Sequence, residues 1–173
     1  MKRLEISAKR LSMMYASLTY RLESGDAPAE YLCLKSVIEE RVEFMKEFMD
    51  SKRITLFLEL ESTKILMPKE SIDRLIDNLL SNAIKYSNTS DEIIISLKSN
   101  ILKVQDKGIG INKKMQEDIF KRYYRANDER GGFGIGLNIV LSICKKYKIK
   151  LDLVSEEGVG STFILDFPIE KKN

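Results

Sequence analysis

Apolar positions along the chain alternate between helical and strand periods. Leu4, Ala8, Leu11, Tyr15, Leu18 and Leu22 recur at spacings of 4, 3, 4, 3 and 4. That is the spacing of a heptad seam in a coiled coil or helical hairpin, which over three heptads an ordinary amphipathic helix fits equally, and it predicts one helix over 3–24. Ser24-Gly25-Asp26 supplies the stop, with Pro28 just beyond. A short strand is expected over 31–34. A helix follows over 35–50, with Val37, Ile38, Val42, Met45 and Met49 on one side. Ile54, Leu56, Leu58 and Leu60 alternate as a strand. Pro68 opens a helix at its first turn, running to about Tyr86. Two strands, Ile93 to Leu97 and Ile101 to Val104, are joined by a Ser99-Asn100 turn. A glycine-rich, charged stretch runs from Asp106 to Gly136, followed by a helix from Leu137 to Tyr147. Leu151 to Val154 and Ser161 to Phe167 close the pattern as strands. The order predicts an α+β fold: a two-layer α/β sandwich with helices on one face of a mixed, mostly antiparallel sheet, preceded by one long helix.

Composition narrows the function classes. A chain of 173 residues suits one domain plus a short appendage. The net charge of +3, from 29 basic and 26 acidic residues without a long basic block, gives no argument for a nucleic-acid partner. Cys33 and Cys144 lie far apart and make no metal spacing or disulfide framework, so they read as buried, reduced thiols. No apolar run approaches the ~20 residues of a membrane span, and no signal peptide is present. The expected location is cytoplasmic, with a membrane-bound parent left open. There is no histidine, which excludes His-based acid/base catalysis, His metal sites and a Ser-His-Asp triad.

Four segments carry candidate chemistry. In the helix after Pro68, Asn78, Asn82 and Lys85 fall at i, i+4 and i+7 and share a stripe. Amide oxygens are hard ligands suited to Mg²⁺, and a neighbouring lysine suits phosphate. Taken alone, the stripe reads first as a solvated polar face. Asp106-Lys107-Gly108-Ile109-Gly110 follows a strand. Its carboxylate could accept from an amino group, although a motif standing alone reads as a plain turn with an Asp at its start. Gly131-Gly132-Phe133-Gly134-Ile135-Gly136-Leu137 opens a helix whose free N–H groups would favour phosphate. It is neither a dinucleotide-binding turn, since no strand leads into it, nor a P-loop, since no Gly-Lys-Ser/Thr ends it. Gly158-Val159-Gly160-Ser161-Thr162-Phe163 turns into a strand and is weak by itself.

In this order the four segments resemble the N, G1, G2 and G3 boxes of sensor histidine kinases. Asn78-Leu79-Leu80-Ser81-Asn82-Ala83-Ile84-Lys85-Tyr86-Ser87 matches the N box, and Ile119-Phe120-Lys121-Arg122-Tyr123-Tyr124-Arg125 looks like the F box. The resemblance covers about residues 1–168 and implies the Bergerat ATP-binding fold. By position it implies that Asp106 holds the adenine amino group, that Asn78 and Asn82 hold Mg²⁺, and that Lys85 contacts phosphate. Tyr86 would pack near the nucleotide, and Gly108 and Gly110 would line the base pocket. Residues 120–134 would form a lid over ATP, with Arg125 and Arg130 as phosphate contacts. Gly132, Gly134 and Gly136, followed by Leu137, would hinge the lid and present N–H groups. Thr162 would support Asp106 from the neighbouring strand. Two departures stand out: few residues separate Arg125 from Gly132, and Met67-Pro68-Lys69 replaces a Gly-Asp pair common in the family.

The reaction implied is phosphoryl transfer from ATP to histidine, which rests on positioning and electrostatics. The family's acceptor histidine lies on the first dimerisation helix and is absent from this sequence. Residues 1–25 resemble the second helix of that hairpin, and 30–170 the catalytic domain. The expected chain is a shortened or natural fragment that binds ATP but cannot phosphorylate itself on histidine. Its implied partners are the histidine-bearing region of a homodimeric parent and a cognate response regulator, with the fragment itself monomeric. Gyrase-like, chaperone-type and serine-kinase relatives of the fold resemble each other in a glutamate where this chain has Asn78. An amide cannot accept that proton, which favours the histidine kinase. Asp77 neighbours it about 100° round the helix and is expected to face away. The alternative is a pseudokinase or partner-binding module of the same fold.

Overall fold

A computed structural model describes residue 11 and residues 27–121 and 135–168. The expected helix over 3–24 therefore lies, apart from Leu11, outside the described residues. Within them the order is β1 (Glu30–Cys33), α1 (Leu34–Ser51), β2 (Thr55–Leu60), β3 (Lys64–Met67), α2 (Lys69–Tyr86), β4 (Glu92–Lys98) and β5 (Ile101–Asp106), then two short 3₁₀ turns, Lys113–Met115 and Asp118–Phe120. α3 (Gly136–Lys146), β6 (Lys150–Glu156) and β7 (Gly160–Asp166) complete it.

Five strands make the main sheet in the order β2-β4-β5-β7-β6. Only β2 and β4 run parallel, the other pairs being antiparallel. The parallel pair follows from the connection, because β3 and α2 carry the chain back before β4 begins. Strand parity then sorts the faces. Ile93, Ile95, Leu97, Leu102, Val104, Phe163 and Leu165 are buried on the side that meets the helices. α2 lies at the centre of that side, contacting both α1 and α3 as well as β5. Its buried stripe, Ile72, Leu75, Ile76, Leu79, Leu80, Ala83 and Ile84, is broad because helices flank it as well as the sheet.

The alternation reading passes over one strand. β3 pairs antiparallel with β1 as a separate two-stranded sheet, with Tyr31 opposite Leu66. Its four residues, Lys64–Met67, bury only Ile65 and Met67, too short a pattern to stand out. Pro68 is also one position earlier than expected. It caps α2 in an extended conformation, and its carbonyl receives the N–H groups of Ser71 and Ile72. The Ser99-Asn100 turn forms as expected, with Ser99 at φ +58°.

Candidate nucleotide-binding site

The alternation of β5 places Leu102, Val104 and Asp106 on the helix-facing side. A carboxylate thus occupies the third inward position, 5% exposed. Its row across the sheet runs Ile93, Asp106, Ser161, Ser155. Burial pushes the Asp106 carboxyl above the usual aspartate range, against the lowering pull of the Gly108 and Ser161 N–H groups, while Asp91 adds to the rise. The Gly108 N–H donates to Oδ1 at 2.9 Å. One corner of the carboxylate is thereby held by backbone, which suits recognition of an amino group by what remains.

Thr162 is not the residue that supports Asp106. It pairs with Gln105, while Ser161 stands opposite Asp106. Parity gives the reason: Phe163 and Leu165 point inward, so Ser161 does too, and Thr162 faces the other way. Ser161 is 7% exposed, and its hydroxyl meets the Ser155 Oγ at 2.9 Å. Ser155 Oγ donates to the Gly160 carbonyl at 2.9 Å and accepts the Ile111 N–H at 2.8 Å. Gln116 adds a brace, donating from Nε2 to the carbonyls of Ile111 and Ser155. These residues fix the loop after Asp106 to the β6–β7 hairpin. Ser161 was legible from the inward parity of 163 and 165, and Ser155 from that of Leu151 and Leu153; Gln116 carried no sequence signal.

The glycines mark where backbone meets backbone. A Cβ on Gly110 would stand 1.8 Å from the Glu156 carbonyl oxygen, and one on Gly160 2.1 Å from that of Asp106. Both also hold positive φ, +63° and +134°. A Cβ on Gly108 would lie 2.3 Å from the Tyr86 carbonyl oxygen. The same carbonyl accepts the Ile109 N–H at 3.2 Å. Asp106 is therefore clamped between the end of α2 and the hairpin.

α2 meets this place at its C-terminal end, where the Tyr86 carbonyl lies against Gly108. Asn78 donates from Nδ2 to the Arg74 carbonyl at 2.8 Å. Its Oδ1 lies where a Cβ on Gly136 would stand, 2.7 Å away, so the start of α3 sits against the Asn78 amide. Among the described residues, Asn82 Nδ2 is buried without a partner, and so is the hydroxyl of Ser87. Buried orphans of this kind mark a group that a ligand or water completes. Lys85 donates from Nζ to the Tyr86 hydroxyl at 3.0 Å, with the ammonium 4.6 Å from the ring centre. Asp77 turns to α1, where Arg41 grips it in a bidentate pair at 2.7 and 2.9 Å. Burial still raises its carboxyl above the usual range, against the pull of Arg41. Its geometry is that of a helix–helix tie, away from the Asn78 stripe.

Leu137 packs partly buried against the core, and Asn138 bonds from Nδ2 to the Phe120 carbonyl at 3.1 Å. Arg125, Arg130, Gly132 and Gly134 lie outside the described residues. Among the described residues no group of three or more His, Cys, Asp or Glu side chains gathers as a metal site. The amide oxygens of Asn78 and Asn82 are hard but neutral. They fit Mg²⁺ when phosphate oxygens complete its shell, since it binds with one or two protein ligands and substrate phosphates.

Residues 68–171 match the family described as histidine kinase-, DNA gyrase B- and HSP90-like ATPase. Sensor histidine kinase RppB of Synechocystis is 34% identical over 95% of this chain and 39% of its own length. Sensor histidine kinase WalK of Bacillus subtilis is 31% identical over 78% of this chain and 22% of its own. The chain thus spans well under half of these relatives. Among solved structures, a mycobacterial sensor histidine kinase, MprB, superposes with a TM-score of 0.72 at 21% identity, covering 81% of this chain and 97% of that one. Full-length ShkA in complex with AMPPNP superposes with a TM-score of 0.75 at 19% identity, covering 96% of this chain and 37% of that one. Among the described residues, no helix is long and apolar enough to cross a membrane. The chain belongs to the histidine kinase-, DNA gyrase B- and HSP90-like ATPase family, with the Bergerat fold, and is an ATP-binding catalytic domain of the two-component sensor histidine kinase type.

Proposed function

We propose that this domain binds ATP with Mg²⁺ and passes the γ-phosphoryl group to a histidine on another segment or chain. The observation that carries the reading is Asp106: a buried carboxylate held by backbone N–H groups, at the end of β5 and clamped against the end of α2. Asp106 accepts from the adenine amino group, and Ser161 rather than Thr162 stands beside it. Asn78 and Asn82 supply amide oxygens, and Mg²⁺ when bound would neutralise charge on the β- and γ-phosphates. Lys85 leaves Tyr86 to meet phosphate. Arg125 and Arg130 are the further phosphate contacts, with Gly132, Gly134 and Gly136 presenting N–H groups. An imidazole nitrogen attacks the γ-phosphorus, the bond to the bridging oxygen breaks, and ADP leaves; the imidazole proton passes to a base on the acceptor segment or to water.

Residues 1–25 are assigned to the second helix of a dimerisation hairpin and 30–170 to the catalytic domain, in the cytoplasmic part of a homodimeric sensor. A cognate response regulator would take the phosphoryl group onward. Calorimetry with Mg²⁺-ATP and Mg²⁺-GTP, on this chain and on Asp106→Asn, tests the site. An amide would turn an NH₂ group toward the backbone donors or lose one of the acceptor positions, so ATP binding should fall sharply in the variant. No ATP binding by the folded chain would overturn the reading. The absence of histidine favours a second one, a partner-binding module. Phosphotransfer in trans to a histidine-bearing hairpin separates the two.

A further inference from the structure

An α-helix ends with four carbonyls that have no intrahelical partner. In α2 the last intrahelical bond is Ser87 N–H to the Ala83 carbonyl. That leaves the carbonyls of Ile84, Lys85, Tyr86 and Ser87. Three of them accept from a single ammonium: Lys52 Nζ donates to Ile84 at 2.7 Å, Lys85 at 3.0 Å and Ser87 at 2.9 Å. The fourth, Tyr86, takes the Ile109 N–H. Lys52 is itself the residue that ends α1, and its own carbonyl accepts the Ser90 N–H at 2.9 Å. It therefore binds both sides of the loop that leaves α2. A positive charge at a helix C-terminus also meets the negative end of the helix dipole.

The consequence reaches the site. The residues whose carbonyls Lys52 gathers are those bearing Lys85 and flanking Tyr86. The carbonyl it does not reach, that of Tyr86, is the one that positions Ile109 and crowds Gly108. We propose that Lys52 is a positioning residue for nucleotide binding. Its ammonium fixes the end of α2, and through Tyr86 the base loop after Asp106. The match is specific to lysine. Three N–H bonds spread from one tetrahedral nitrogen reach three carbonyls around it, whereas a guanidinium spreads its donors in a plane. The inference rests on the nucleotide reading of this site.

The test compares Mg²⁺-ATP binding by calorimetry in wild type, Lys52→Met and Lys52→Arg, well below each melting temperature. Amide hydrogen exchange at Ile109 and Ser90 is followed in parallel. Expected is a Kd raised about tenfold in Lys52→Met, with faster exchange at Ile109. Lys52→Arg, which keeps the charge, should remain at least about threefold weaker than wild type. If Lys52→Met does not fold, the arginine variant carries the same test. Wild-type affinity in folded Lys52→Met, or full recovery by arginine, overturns the proposal. Failure of the wild-type chain to bind ATP overturns the site reading instead.

Discussion

Gly136→Ala separates the site from the fold. Gly136 begins α3, and its backbone lies outside the left-handed region, so alanine meets no conformational strain. Alanine in place of glycine favours a helix by up to about 1 kcal/mol. The new Cβ would stand 2.7 Å from Asn78 Oδ1, whereas ordinary contact begins at 3.4 Å, so the amide must retreat by about 0.7 Å (3.4 − 2.7). Retreat strains the bond from Asn78 Nδ2 to the Arg74 carbonyl, at a cost of about 1 kcal/mol. The two effects nearly cancel, and the melting temperature should move by only a few degrees. Binding has no such offset. Displacing a metal ligand or its support typically costs about 10–100-fold, so Mg²⁺-ATP should weaken by that factor. ATP titrated in EDTA should weaken much less. Thermal melts and calorimetric titrations with and without Mg²⁺ make the measurement. Mg²⁺-ATP affinity within about twofold of wild type, with an unchanged melt, would refute Asn78 as a ligand. A large drop in the melt would show instead that the contact belongs to the fold.

Three other outcomes follow from the same geometry. Asp106 titrates above the usual aspartate range because it is buried. The folded state therefore holds the proton over a window where the unfolded state does not, and stability falls as pH rises through it. Base recognition needs the carboxylate, so adenosine affinity, free of phosphate titration, should fall as pH drops through that same window. A flat profile down to the ordinary aspartate range would contradict this. Arg41→Met should cost about 2–3 kcal/mol in urea unfolding, less than a fully buried pair because both side chains keep some exposure. The loss should be larger at neutral than at acid pH, since the orphaned Asp77 must ionise, and Asp77→Leu added to it should recover most of it. Cys33 is lowered to about 7 by hydrogen bonds from Ser36 and Ser62, while burial pushes Cys144 up to about 12. Iodoacetamide at pH 7.5 should label Cys33 at least about tenfold faster, read by peptide mass spectrometry; equal rates would refute it.

Much of the site was legible before the fold. The stripe of Asn78, Asn82 and Lys85 follows from helical period, and the inward place of Asp106 follows from the alternation of Leu102 and Val104. The family resemblance added roles, and it misassigned one. Thr162 was named where strand parity with Phe163 and Leu165 selects Ser161. β3 was missed because two inward residues make too short a signal. Lys52 and Gln116 were silent because their work is hydrogen bonding to carbonyls of other elements, which no local pattern encodes.

The sequence by itself determined the periods, hence the elements, the inward faces and the order of the four boxes. These depend on interactions within a few residues. Only the tertiary structure decided which backbones touch. Gly110 against Glu156, Gly160 against Asp106 and Gly108 against Tyr86 are approaches between segments whose separation in space depends on strand order and register. The glycines read from sequence as room for a ligand also make room for the protein's own backbone, and the clamp they form is what holds the Asp106 carboxylate in place.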